Sequence, residues 1–236
     1  TALRADDCQI SSVVLDRLST GVSQSLTTLW LMPCRALTEE HVKALVVRAP
    51  HLTELRLATC EGLNTPALQS IGSKLRALQS ITIEMCGNVD VEGIKALVRG
   101  CAQLSELHLL MCPRVCDHCL EDIASHCKNL RHLRVADNDK ITDSGVRALA
   151  LHCTQLEHVC FSYTSVTDVA VEHLIESCPE MASVVLQGRQ AVAQSLVRLC
   201  ERRNVVLTLA DEENDEFEEM MQLAMEEAGI EMESGD

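Results

Sequence analysis

Apolar residues recur along this chain at a fixed interval. Leu26, Leu52, Leu78, Leu104, Leu130 and Leu156 are 26 residues apart, and Met181 follows one residue early. With each of these as position 1, position 4 is Leu29, Leu55, Ile81, Leu107, Leu133, Val159 and Val184. Position 6 is Leu31, Leu57, Ile83, Leu109, Val135, Phe161 and Leu186. Position 9 is Cys34, Cys60, Cys86 and Cys112, with Cys8 one period earlier, and then Asn138 and Thr164. Position 12 is apolar from Leu37 to Ile141. A constant period of this length means a repeat architecture.

Each unit changes its periodicity halfway. LRHLRV at 130–135 alternates as a short strand with one buried face. ITDSGVRALALHC at 141–153 spaces its apolar residues as a helix does, with Val146, Leu149 and Ala150 on one face. Thr142–Asp143, Thr167–Asp168 and Thr38–Glu39 supply a capping hydroxyl and then an acid for the first turn. Arg48, Lys74, His126 and His152 share position 23, near the helix C-termini, where positive charge is favoured. Strand, turn and helix in 26 residues predict an α/β leucine-rich-repeat solenoid of about seven to eight coils, with a parallel sheet on the concave face and helices outside. Residues 1–210 form this body. Residues 8–25 read as the end of a truncated first repeat, 190–201 as a last helix and 205–209 as a last strand.

The pattern L-x-x-L-x-L-x-x-C-x-x-ITD-x-G-V-x-x-L-x-x-x-C is best matched at 130–153, where Asn138 takes the first cysteine position. A second cysteine at position 24 (Cys101, Cys127, Cys153, and Cys178 in the shortened repeat) completes it. This resembles the cysteine-containing leucine-rich-repeat subfamily found in F-box/leucine-rich-repeat proteins, over residues 8 to about 209. The resemblance implies a substrate receptor or adaptor of an F-box-type ubiquitin ligase that holds its target on the concave face. No apolar three-helix segment of the F-box kind stands ahead of the repeats in this sequence. The alternative is a structural leucine-rich-repeat subunit of a large flagellar, cytoskeletal or mitochondrial assembly.

Charge divides the chain. The net charge is −15, yet residues 211–236 hold 12 acids and no Lys or Arg, which leaves a body with 23 acids and 20 bases. One Trp, one Tyr and two Phe in the whole chain, and no basic excess, argue against a nucleic-acid partner. No run of 18 apolar residues offers a membrane span. Thirteen cysteines, an odd number, ten of them at places where the repeat or its last helix wants a small buried residue, fit free thiols in a reducing, cytoplasmic setting.

In the tail, Phe217, Met220, Met221, Ala224, Met225 and Ala228 fall on one face of a helix expected over 212–228, with acids around it. The order of acidic run, Met221, Ala224, Met225 and small residue is similar to a ubiquitin-interacting motif, with Ala228 where that family usually has Ser. The similarity implies ubiquitin as a second partner.

Positions 3, 5 and 7 alternate with the buried positions and face into the concavity. They nominate Trp30, Glu54, Arg56, Glu84, Glu106, His108, His132, Arg134 and His158, together with Tyr163, as a protein-binding face of mixed charge. His108, His132, His158 and Cys160 come from neighbouring strands, as a metal or nucleophilic site would require, but neither an oxyanion hole nor an orienting group is evident. Cys112, Cys116, His118 and Cys119 have the look of a metal cluster. Aligned on the repeat, Cys116 and Cys119 instead take the places of the capping Thr and the Gly of a helix start. The expectation is therefore a non-catalytic module without cofactor or metal, its histidines at the surface.

Overall fold

The computed structural model describes residues 2–6, 25–188 and 191–209. Its elements, in chain order, are β1 (Ala2–Asp6), β2 (Thr28–Met32), α1 (Glu39–Arg48), β3 (Glu54–Ala58), α2 (Thr65–Lys74), β4 (Ser80–Glu84), α3 (Val91–Gly100) and β5 (Glu106–Leu110). They continue as α4 (Asp117–His126), β6 (His132–Arg134), α5 (Asp143–His152), β7 (His158–Cys160), α6 (Asp168–Ser177), β8 (Ser183–Val185), α7 (Gln194–Arg203) and β9 (Val206–Thr208). The nine strands form one parallel sheet in sequential order. Each helix is the crossover that a parallel pair needs. The architecture is an α/β leucine-rich-repeat solenoid.

Register follows the repeat residue for residue. Leu29 pairs with Leu55, Leu55 with Ile81, Ile81 with Leu107, and Leu107 with Leu133. Positions 1, 4, 6, 9 and 12 are buried in one continuous core that runs the length of the stack. Nine strands joined by eight crossovers fit the seven to eight coils read from sequence; β1, not read there as a strand, continues the period, Ala2 pairing with Thr28. Residues 8–25, expected to end a truncated repeat, lie almost wholly outside the described residues, as does the tail from 210 onward. The last helix begins at Gln194 rather than near 190. Asp168 Oδ2 accepts from the Ala193 N–H at 2.5 Å and holds the chain just ahead of the helix to the preceding coil.

The cysteines are structural hydrogen-bonding residues. Cys60, Cys86 and Cys112 donate their thiols to the carbonyls two residues back, at Ala58, Glu84 and Leu110. Cys86 Sγ also accepts the N–H of Cys60 from the coil before. Asn138 keeps both kinds of bond with an amide and adds a third: Nδ2 donates to the carbonyls of Ala136 and Leu109, and Oδ1 accepts the N–H of Cys112 at 2.9 Å. At position 24, Cys101, Cys153 and Cys178 donate to the carbonyls of Leu75, Cys127 and Cys153. Burial pushes the Cys101, Cys127 and Cys153 thiols up to about 12, so they stay protonated.

Neighbouring helix starts are stitched together. Thr142 donates both its N–H and its hydroxyl to Asp117, and Thr167 does the same to Asp143. The first-turn acid thus serves the next coil's cap as well as its own helix. Cys116 occupies the N-cap place foreseen for it and makes no side-chain cap bond. At position 8, where the strand turns outward, Thr59, Met85, Met111, Asp137 and Tyr163 all adopt positive φ, between 48° and 58°.

Candidate functional site: the concave sheet face

The strand registers set positions 3 and 5 in two columns. Position 5 runs Arg4, Trp30, Arg56, Thr82, His108, Arg134, Cys160 and Val185. Position 3 runs Thr28, Glu54, Ser80, Glu106, His132, His158 and Ser183. These side chains divide the face into three regions.

At the N-terminal end Trp30 is clasped. The Arg4 and Arg56 guanidinium carbons lie 3.8 Å and 4.0 Å from the centre of its ring, one on each neighbouring strand. Glu54 Oε1 accepts from Trp30 Nε1 at 2.9 Å and from Arg56 Nε at 3.0 Å. The indole is therefore fixed before any partner arrives, with cationic groups beside it.

The middle is drier than the sequence implies. Glu84, expected on the accessible face, is buried at 3% exposure. Its burial raises the carboxyl to about 7 despite the Arg134 charge. His108 Nδ1 is 3.4 Å from the Thr82 hydroxyl, and burial, with Arg134 and Arg56 adding to it, lowers this imidazole to about 4. Burial also raises Asp137, against the pull of Arg134. Leu110, Ala136 and Cys160 form a small apolar cluster here, with Val185 packed against it. Cys160 is thus a packing residue that does not accompany the histidines.

At the third region His132 and His158 lie side by side, ring centroids 4.6 Å apart and planes tilted by 53°. Glu157, at position 2, joins them: its Oε2 is 3.9 Å from His132 Nε2, and its Oε1 accepts from Arg131. His158 Nδ1 is 2.7 Å from Ser183 Oγ. Among the described residues, one ligand atom each of His132, Glu157 and His158 lies within 4.8 Å of the others. Sequence reasoning restricted to positions 3, 5 and 7 missed Glu157. The signal was present as Glu157–His158 one period after Arg131–His132.

Tyr163 is half exposed, with its ring against Gly188, whose φ of +77° and lack of a Cβ make room for it. Glu106 starts β5 half-buried beside His132. Of the cysteine-rich stretch, Cys112 and Cys119 are buried within coils, with Cys119 raised to about 12 by burial, and His118 is exposed. Phe217, Met220, Met221, Ala224, Met225 and Ala228 lie outside the described residues. No helix among the described residues is long and apolar enough to cross a membrane.

Comparison with known proteins agrees with this geometry. A family model described as Leucine Rich repeat matches residues 126–150, one coil of the stack. Among solved structures, a chain of the crystal structure of the Rad7 and Elc1 complex in yeast is similar with a TM-score of 0.71 and 17% identity. That likeness covers 87% of this chain and 52% of the other, so this chain spans about half of its structural neighbour. No curated protein matches the sequence. At such identity the likeness is one of fold.

Proposed function

We propose that this chain is a non-catalytic protein-interaction module, the target-holding part of an F-box-type ubiquitin-ligase receptor or adaptor. The observation that carries the reading is the clasped Trp30. An indole held between Arg4 and Arg56, with Glu54 bonded to both Trp30 and Arg56, is an ordered aromatic and cationic anchor on an open sheet face. Aromatic and Arg side chains are the groups that most often dominate binding energy at protein interfaces. The basic surround favours a partner segment carrying carboxylates. The ligase context rests on the resemblance of the cysteine-containing repeat; the similar fold found in the complex of Rad7 and Elc1 supports the coarser reading of a protein-binding module.

Affinity capture with the full chain, read by mass spectrometry, tests this. The receptor reading expects ubiquitin-ligase subunits and a target, with the target lost from Trp30→Ala and Arg56→Glu and kept by Val47→Ser on the outer surface. Met221→Glu with Ala224→Glu examines the tail: loss of ubiquitin conjugates alone would assign ubiquitin to that segment.

Among the described residues, large apolar side chains exposed to solvent, Val47, Leu151, Val169 and Val206 besides Tyr163, favour a second reading as a permanent subunit of a larger assembly. A chain that is monomeric and stable alone supports the receptor. A chain that aggregates until co-expressed with its neighbours supports the subunit.

A further inference from the structure

We infer that His132, Glu157 and His158 form a binding site for a divalent cation of the zinc class, at the edge of the concave face where β6 and β7 begin. The inference is independent of the receptor reading, since it rests on the donor atoms alone.

The repeat creates the site. His132 and His158 are direct register partners on adjacent parallel strands, so both imidazoles leave the sheet on the same side. Their planes meet at 53°, which turns ring nitrogens toward a common point as flat stacking would not. Glu157 immediately precedes β7 and brings its Oε2 to 3.9 Å from His132 Nε2. The three ligand atoms lie within 4.8 Å of one another. Tetrahedral zinc, with bonds of about 2.0–2.1 Å to nitrogen and oxygen, sets its ligand atoms about 3.3–3.4 Å apart, so they must close by up to about 1.5 Å, a change that side-chain rotation supplies.

Two further contacts prepare the donors. Ser183 Oγ, 2.7 Å from His158 Nδ1, accepts from that nitrogen in the tautomer whose Nε2 lone pair is free. Arg131 donates to Glu157 Oε1 and leaves Oε2 open. Metal-bound histidines and carboxylates characteristically carry such outer partners. Two imidazoles and one carboxylate favour zinc, copper or nickel over magnesium or calcium, which prefer all-oxygen sites. All three residues are half-buried, so the cation has access, and its fourth position is left to water or to a donor from a bound protein.

The test uses the full, tag-free chain. Isothermal titration with zinc chloride should show one site, and cobalt(II) substitution should give visible d–d absorption without near-ultraviolet thiolate-to-cobalt bands. His132→Ala and His158→Ala should each weaken zinc by more than about tenfold, and Ser183→Ala by about tenfold. These half-exposed substitutions should leave the circular dichroism unchanged, which separates loss of a ligand from loss of fold. Magnesium chloride should not compete. Absence of zinc binding, binding indifferent to His132 and His158, or thiolate bands from the cysteines would each overturn the assignment.

Discussion

Glu84 and His108 depart from ordinary behaviour in opposite directions, and the signs make a measurable pattern. Folded Glu84 keeps its proton up to about pH 7, whereas an unfolded glutamate loses it near pH 4.3. The folded state therefore holds the extra proton in that window, and this residue's contribution falls as pH rises through it. Folded His108 resists protonation down to about pH 4, whereas the unfolded residue gains a proton near pH 6.5. Its contribution falls as pH drops through that window. Between about pH 4.5 and 6.5 the two slopes oppose each other. Glu84→Gln should leave a chain that loses stability on acidification, and His108→Gln one that loses stability toward neutrality. Each change should be of order 1–3 kcal/mol by urea unfolding. Equal slopes in wild type and both variants would contradict it. A second expectation concerns Thr59, a β-branched residue at φ 55°. Thr59→Gly should raise stability by about 0.5–1 kcal/mol, the relief of left-handed strain outweighing the greater freedom of the unfolded chain.

At the scale of elements, α2 and α3 approach most closely through Gly72 and Gly100. A Cβ at Gly100 would collide with the backbone of Gly72, and no side chain is there to move aside. Gly100→Ala should cost about 3 kcal/mol or more, read as a lowered melting temperature, while Gly87→Ala, with open space around it, should be nearly neutral. The elements were legible because the 26-residue period repeats both the buried positions and the cap residues. What was not legible lies between coils. Thr142 and Asp143 announced a helix start, but nothing local showed that Asp143 would also bond the next cap, Thr167. Glu84 belonged to an outward-facing position by alternation alone, yet it is buried, with Ala58 and Leu110 as its register neighbours on the strands to either side. The His132–Glu157–His158 group combined two legible histidines with an acid from a position that strand alternation does not nominate. Asn138 looked like a departure from the cysteine pattern and proves to make the same bonds.

Among the described residues no element contacts a distant coil: each helix and strand packs on its nearest neighbours along the stack. Stability in such a chain is a sum of coil terms and interfaces. Leu107→Ala or Leu133→Ala, in central coils that are buried from both sides, should cost about 2–5 kcal/mol by chemical denaturation. Leu3→Ala, on the edge strand and only half-buried, should cost clearly less. Equal losses would show that the ends are as firmly held as the middle.

The position-24 row of buried, protonated thiols, Cys101, Cys127, Cys153 and Cys178, makes this solenoid a recorder of its own opening. A thiol held up to about 12 and bonded to a carbonyl does not meet an alkylating reagent while its coil is closed. Coil after coil therefore carries an internal timer. Under mild denaturant, the order in which peptides containing Cys101, Cys127, Cys153 and Cys178 gain label would map how the stack comes apart, and a fraying C-terminal end would mark Cys178 first.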